Sequence, residues 1–206
     1  MIEGILFGVW LTVVVVGMWV VASRAARRSS EHRALVPEAS EERERLTETA
    51  LRESVGLLRE RKFDAAHALL ASIDRIGLDE SLLDLLDACL AWTYVNLGDD
   101  DAALTYAHST SKSKEPIAVL LAGATLARLE RFVEAAQPLR SATHSTDLED
   151  SDLCLALYHL GETERALGRF DEAREAWQRI RQKMPESELA KRAGDQLKTL
   201  TAVPYR

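Results

Sequence analysis

CLALYHLGETERALGRFDEAREAWQRIRQKMPES, residues 154–187, contains two stretches of helical periodicity that are separated by a short polar break at Gly168 and Arg169. Apolar residues recur three and four positions apart on each side of the break, as they do on the buried face of an α-helix. The segment therefore predicts two helices joined by a tight turn.

The same frame recurs three times upstream, at about residues 47–80, 84–117 and 116–149. The predicted turns of these units are Arg61-Lys62, Gly98-Asp99 and Glu130-Arg131. One small residue in each second helix lets the two helices approach, and these residues are Ala66, Ala103, Ala135 and Ala173. A single pair of helices cannot bury its apolar face, so the pairs must stack.

The fourth unit resembles the tetratricopeptide repeat in Leu157, Leu160-Gly161, the GRFDEA run at residues 168–173 and Pro185. The resemblance implies an all-α solenoid of about four helix pairs over residues 47–206, with a C-terminal capping helix at residues 187–200. Phe63, Phe132 and Phe170 are expected to fill the gap to the next pair. The second unit departs from the family pattern because Asp100 replaces the usual aromatic, which puts the tightness of its turn in doubt.

The capping helix has its own sequence signals. Ser187 is the predicted N-cap, and Leu189, Ala193, Leu197 and Leu200 share one apolar face. The predicted outer face is polar, as a solvent-facing cap requires, and consists of Glu188, Lys191, Arg192, Asp195 and Lys198.

Residues 1–22 are predicted to form a transmembrane helix. Residues 5–22 contain no charge, and as a helix they are about 27 Å long, close to the hydrocarbon thickness of a bilayer. A cleaved signal peptide is the alternative, but the chain lacks a positive charge before the apolar run. Basic residues follow that run, so the N-terminus is expected outside and the repeats in the cytoplasm. An extracytoplasmic repeat domain remains the alternative topology.

Residues 23–46 are predicted to be a charged linker that becomes helical near Ser40. Gly4 and Gly8 form a G-x-x-x-G pattern, which predicts a weak homodimer contact between membrane helices.

Charge and motif content exclude several functions. Residues 47–206 contain 20 Lys and Arg against 27 Asp and Glu. Such an acidic domain repels phosphate backbones, so binding of nucleic acid is not expected. Neither a catalytic motif nor a cofactor site is recognisable, and His159 with Glu162 lacks a third metal ligand, so a solvated polar face is expected there. Cys89 and Cys154 could form a disulfide, although buried thiols are favoured.

The first helix of each pair lines the concave side in the tetratricopeptide family, and the resemblance therefore implies a partner-binding groove there. Its expected residues are Val55, Arg59, Trp92, Val95, Leu120, Arg128, Tyr158, Glu162 and Arg165. The groove is expected to be an exposed apolar trough with Arg59, Arg128 and Arg165 near its edge. The Lys and Asn positions that hold chaperone tails in some relatives are apolar here, so that ligand is not expected.

These patterns predict a non-enzymatic, membrane-anchored scaffold that binds a helix or peptide of a partner protein. The chain resembles the membrane-anchored repeat proteins of bacteria. Two alternatives remain open: an extracytoplasmic subunit of a secretion or envelope-assembly complex, and a regulatory subunit of a membrane-associated enzyme.

Overall fold

The computed structural model describes residues 38–201, with side chains from 42 to 200 except those of Val55 and Arg59. This part contains nine α-helices: α1 Glu38–Arg59, α2 Phe63–Ala71, α3 Glu80–Leu97, α4 Asp100–Thr110, α5 Pro116–Arg128, α6 Phe132–His144, α7 Asp150–Ala166, α8 Phe170–Lys183 and α9 Glu188–Thr201. The predicted all-α class is confirmed.

The predicted anchor at residues 1–22, with Gly4 and Gly8, lies outside the described residues. Between residues 38 and 201, no helix has both the length and the apolar character needed to cross a bilayer. Helix α1 begins at Glu38, inside the predicted linker, because the residues that follow Pro37 are mostly strong helix formers.

The helices pack as successive pairs, α1 with α2, α3 with α4, α5 with α6, and α7 with α8. The first helices of neighbouring pairs also touch, so that α3 packs on α5 and α5 on α7. Helix α9 covers the last pair by contacting both α8 and α7. Each pair thus buries its apolar face against its neighbours, as a solenoid requires.

The four turns within the pairs share one backbone conformation. The residue with positive φ is Arg61 (59°), Gly98 (83°), Glu130 (58°) or Gly168 (77°). The next residue donates its N–H to the carbonyl five positions earlier, over 2.9 Å for Lys62, 3.1 Å for Asp99, 2.9 Å for Arg131 and 2.8 Å for Arg169. This left-handed ending satisfies a carbonyl that the helix leaves open. The predicted turn positions are confirmed.

The turn of the second pair is as tight as the others, although Asp100 replaces an aromatic residue. The Asp99 carboxylate accepts a hydrogen bond of 3.0 Å from the backbone N–H of Ala102 and so caps α4. Tyr94 of α3 stacks on Tyr106 of α4 at 5.6 Å between ring centroids. The hydroxyl of Tyr94 is also 2.8 Å from His67 Nε2 in the preceding pair. The second pair is thus held by a capped turn and by aromatic contacts between α3 and α4.

The expectation that Phe170 fills the gap between pairs is wrong, because its side chain is 45% exposed. Phe170 begins α8 and lies within residues 168–172, all of which are exposed to solvent. Phe63, by contrast, packs partly buried against the core. The fully buried aromatic side chain of α8 is Trp177, about two turns further along the helix.

The two helices of the later pairs approach each other closely at glycine. A Cβ atom added to Gly161 of α7 would lie 2.4 Å from Trp177 Nε1 of α8. One added to Gly123 of α5 would lie 2.7 Å from Leu139 Cγ of α6. A side chain at either position would therefore force the helices apart.

Two buried carboxyl groups in α7 have different surroundings. The Glu164 carboxylate is fully buried and pairs with Arg140 of α6 at 2.6 Å and with Arg169 of the turn at 3.0 Å. Asp152 is buried, and neither of its carboxyl oxygens accepts a hydrogen bond from the described residues. Burial, with a smaller effect of Glu149, raises the pKa of Asp152 to about 8, so this group is largely protonated at neutral pH.

The capping helix agrees with the sequence in most respects. Ser187 Oγ accepts a hydrogen bond of 3.1 Å from the Ala190 N–H, so the predicted N-cap is confirmed. Leu189 and Ala193 are buried, and Leu197 and Leu200 pack against the core. Arg192 is an exception to the predicted outer face, because its guanidinium lies over a ring of α7.

The two cysteines form no disulfide, and both are buried. Burial raises the pKa of the Cys89 thiol to about 12 and that of the Cys154 thiol to about 11. The prediction of buried thiols is confirmed, and the thiolate forms needed for reactivity are suppressed.

Glu130→Gly should raise the free energy of unfolding by about 0.5–1 kcal/mol, because glycine adopts positive φ without the steric cost that a Cβ imposes. The side chain of Glu130 is exposed, so little else is lost. Urea unfolding of the full chain in a neutral detergent, followed by circular dichroism, measures the change. Gly98→Ala is the control and should lower the same free energy by about 1 kcal/mol. A destabilised Glu130→Gly protein would contradict the shared turn conformation.

Candidate protein-binding surface

We use the name first-helix face for the predicted groove residues on the described first helices together with His159 and Arg192. These residues are Trp92 and Val95 of α3, Leu120 and Arg128 of α5, Tyr158, His159, Glu162 and Arg165 of α7, and Arg192 of α9. Two contacts connect neighbouring helices on it. The Arg128 guanidinium lies 5.5 Å from the ring centre of Trp92, and that of Arg192 lies 4.9 Å from the ring centre of Tyr158.

The predicted apolar trough is not exposed. Trp92, Leu120 and Tyr158 retain only 4%, 1% and 4% of their accessible surface. They are covered because neighbouring first helices pack directly on each other, and because two guanidinium groups lie over the aromatic rings. Val95 is half-buried. These apolar side chains therefore lie beneath polar groups and form what we call the floor of the face. A partner would contact the polar groups first.

Those polar groups are mainly arginines. Arg128 and Arg165 are exposed, and Arg192 and Glu162 are half-buried. Between residues 42 and 200, no carboxylate lies within ion-pair distance of Arg128, Arg165 or Arg192. The side chains of Val55 and Arg59, which were predicted to extend this surface onto α1, lie outside the described part.

His159 lies among these arginines, which corrects the expectation of a solvated polar face. Its ring meets the edge of Tyr158 at 5.9 Å between centroids. Burial and then the charges of Arg192 and Arg128 lower the pKa of His159 to about 4, so the imidazole is neutral at pH 7. In the part of the chain that the structure describes, no group of three or more His, Cys, Asp or Glu side chains could hold a metal ion.

The pKa of the Tyr158 hydroxyl is affected by charges of the same surface. Burial raises the pKa of its hydroxyl, and Glu162 adds to that effect. Arg192 and Arg165 act in the opposite direction, as does a hydrogen bond with Gln196. The charges of Arg128, Arg165 and Arg192 therefore act on two adjacent residues of α7, with Glu162 as a partial counter-charge.

The sequence patterns did not point to Arg192 or to His159 as parts of this face. A signal for Arg192 was present, because it lies three positions after buried Leu189 and directly before buried Ala193. Residues three apart share a side of a helix, so Arg192 borders the buried stripe of α9 and can reach α7. His159 directly follows Tyr158, and only the tertiary structure shows that the charges of Arg192 and Arg128 act on it.

The stacked helix pairs define an all-helical repeat architecture over the described residues. Residues 154–187 match the family profile of the tetratricopeptide repeat, so the chain carries a repeat of that family. This match confirms the resemblance of the fourth helix pair. It also indicates a role in protein–protein interaction. No curated protein and no solved structure matches the chain.

Replacing Arg192 by Gln should raise the pKa of His159 from about 4 toward, but not to, the ordinary value near 6.5, because burial is the larger cause of the shift. NMR titration of the imidazole carbon-bound protons in the full chain measures this pKa, with His159→Gln to assign the signal. Arg181→Gln, on the exposed surface of α8, is the control and should leave the pKa unchanged.

The same shift has a consequence for stability. The pKa is lower in the folded chain than the unfolded value near 6.5, so neutral His159 contributes fully to stability above about pH 6.5. That contribution is lost as the pH falls toward 4. A His159 signal that titrates near pH 6.5 in the wild-type chain would contradict this description of the face.

Proposed function

We propose that this chain is a protein–protein interaction scaffold, anchored in a membrane by residues 5–22, whose first-helix face holds a helix or peptide of a partner protein. The observation that carries the proposal is a set of three arginines that have no ion pair among the described residues. Arg128 and Arg192 lie over buried aromatic rings, and the charge of Arg165 acts on Tyr158. Arginine is among the side chains that contribute most to binding energy at protein interfaces, and the rings beneath Arg128 and Arg192 help to hold those two side chains in place.

The dimensions of the face suit an extended or helical segment. The face runs across α3, α5, α7 and α9, and packed helices lie about 8–10 Å apart. Three such spacings give about 24–30 Å, which corresponds to a helix of about 16–20 residues or an extended segment of about seven to nine. A partner segment of that length could contact all four helices at once.

The membrane part of the proposal rests on the sequence. Residues 5–22 are uncharged and long enough to cross a bilayer, and Arg24, Arg27, Arg28 and Arg33 follow them. With the arginines on the cytoplasmic side, the repeats lie in the cytoplasm and collect a partner at the membrane surface. In this role the partner, rather than the chain, carries out any chemistry.

Photo-crosslinking tests the assigned face. A photoreactive phenylalanine at position 162, on the first-helix face, should give a discrete larger adduct when expressing cells are irradiated. The same residue in place of Glu175, which is exposed on the second helix α8, is the control and should give none. Adducts of equal intensity from both positions, or from position 175 alone, would refute the assignment.

The same cells test the anchor and its orientation. The adduct should sediment with membranes and resist alkaline extraction, since a transmembrane helix is held by the bilayer core. Protease added to intact cells should spare the repeats, and protease added after lysis should cleave them. Cleavage in intact cells would support the extracytoplasmic topology instead.

A further inference from the structure

We infer that the first-helix face recognises an acidic segment of its partner, with carboxylates seated on Arg128, Arg165 and Arg192. This inference rests on the proposed function and adds the chemistry of the bound segment. It follows from where charge is paired in the domain and where it is not.

The repeat domain as a whole contains more carboxylate side chains than basic ones. Residues 47–206 contain 27 Asp and Glu against 20 Lys and Arg. Several cations on other surfaces pair with these carboxylates: Arg75 with Asp87, Arg140 and Arg169 with Glu164, and Lys183 with Asp150. The first-helix face differs because three arginines without such a partner, among the described residues, act on the same two adjacent side chains of α7 and so concentrate positive charge there.

The stacking contacts prepare two of these arginines for carboxylates. A guanidinium over the face of an aromatic ring is attracted to that ring, and its N–H donors lie in one fixed plane. The guanidinium of Arg128 lies 5.5 Å from the ring centre of Trp92, and that of Arg192 lies 4.9 Å from the ring centre of Tyr158. Side chains already held in place lose less conformational entropy when a ligand binds. The planar edge also matches the two oxygens of a carboxylate.

The positive field is local, and it does not depend on histidine protonation. Glu162 offsets part of the charge of the three arginines, and His159 is neutral at pH 7 because burial and Arg192 and Arg128 lower its pKa. A short acidic segment that fits over α5, α7 and α9 would therefore be attracted at physiological pH. Its affinity should weaken with salt, as exposed charge pairs do.

The surrounding charge favours a peptide over a larger polyanion. The rest of the domain is acidic, so a nucleic acid or an anionic bilayer that reached beyond the face would be repelled by it. A peptide segment can keep its carboxylates over the arginines and place apolar residues along Val95. Val95 is half-buried and so still offers some apolar surface.

The test uses the full chain in a neutral detergent and three fluorescein-labelled amphipathic peptides of about 18 residues. All three have leucines at helical spacing, and their polar positions are all Glu, all Gln or all Lys. By fluorescence anisotropy the Glu peptide should bind at least about tenfold more tightly than the Gln peptide, and the Lys peptide should bind most weakly. The advantage of the Glu peptide should shrink when NaCl is raised from about 0.05 to 0.5 M.

Matched variants locate the charge. The triple change Arg128→Gln, Arg165→Gln and Arg192→Gln should reduce Glu-peptide binding to the level of the Gln peptide. The control is Lys112→Gln, Lys114→Gln and Arg181→Gln, which removes the same charge from exposed positions off the face and should retain the preference. Arg165→Gln alone should weaken Glu-peptide binding about threefold. That change disturbs no stacked ring, so it reports on charge even if the triple variant is destabilised.

Several results would overturn the inference. One is equal binding of the Glu and Gln peptides to the wild-type chain, and another is equal loss in both triple variants. A third is binding of phosphatidylserine vesicles, but not of the Glu peptide, that disappears in the first triple variant. If crosslinking from position 162 persists while the acidic preference is absent, the scaffold function stands and only the acidic segment is refuted. If crosslinking is absent as well, the proposed function fails too.

Discussion

The two helices of the third and fourth pairs pack closely because the first helix has a glycine where the second lies against it, Gly123 opposite Leu139 and Gly161 opposite Trp177. Both glycines lie seven positions before the left-handed residue of the turn, and the small residues Ser54 and Ala91 hold the same place in the first two pairs, where both are fully buried. The Ser54 hydroxyl donates a hydrogen bond of 2.7 Å to the carbonyl of Ala50 in its own helix. Small residue and turn together fix how closely the helices approach and where the chain reverses.

This constraint determines what the rest of the stack can bury. With Gly161 beneath it, the indole of Trp177 becomes fully buried inside the fourth pair, and Leu139 is buried in the third pair opposite Gly123. Compact pairs bring successive first helices into direct contact. Trp92, Leu120 and Tyr158 are then covered, and the arginines above them become the accessible chemistry of the first-helix face. The charged face is thus a consequence of close packing within the pairs.

Local features of the structure could be predicted from the sequence, and contacts between distant elements could not. The helix pairs, the four turns and the Ser187 cap follow from periodicity and from residue types within a few positions of each other. The burial of Tyr158 depends on α9, which begins 30 residues later, and the burial of Trp92 depends on Arg128 of the next pair. The exposure of Phe170 likewise depends on how far the neighbouring helices extend. The arginines were predicted as the rim of an apolar groove, and packing makes them its surface.

The most direct test of the packing constraint compares alanine substitutions at two helical glycines by urea unfolding of the full chain. A Cβ at Gly161 would lie 2.4 Å from Trp177 Nε1, whereas one at Gly194 would meet no atom within 4 Å. Gly161→Ala should lower the free energy of unfolding by at least about 2 kcal/mol through overlap with the buried indole. Gly194→Ala should raise it by up to about 1 kcal/mol through better helix propensity. Equal stabilisation by both substitutions would contradict the close approach on which the fold and its binding face depend.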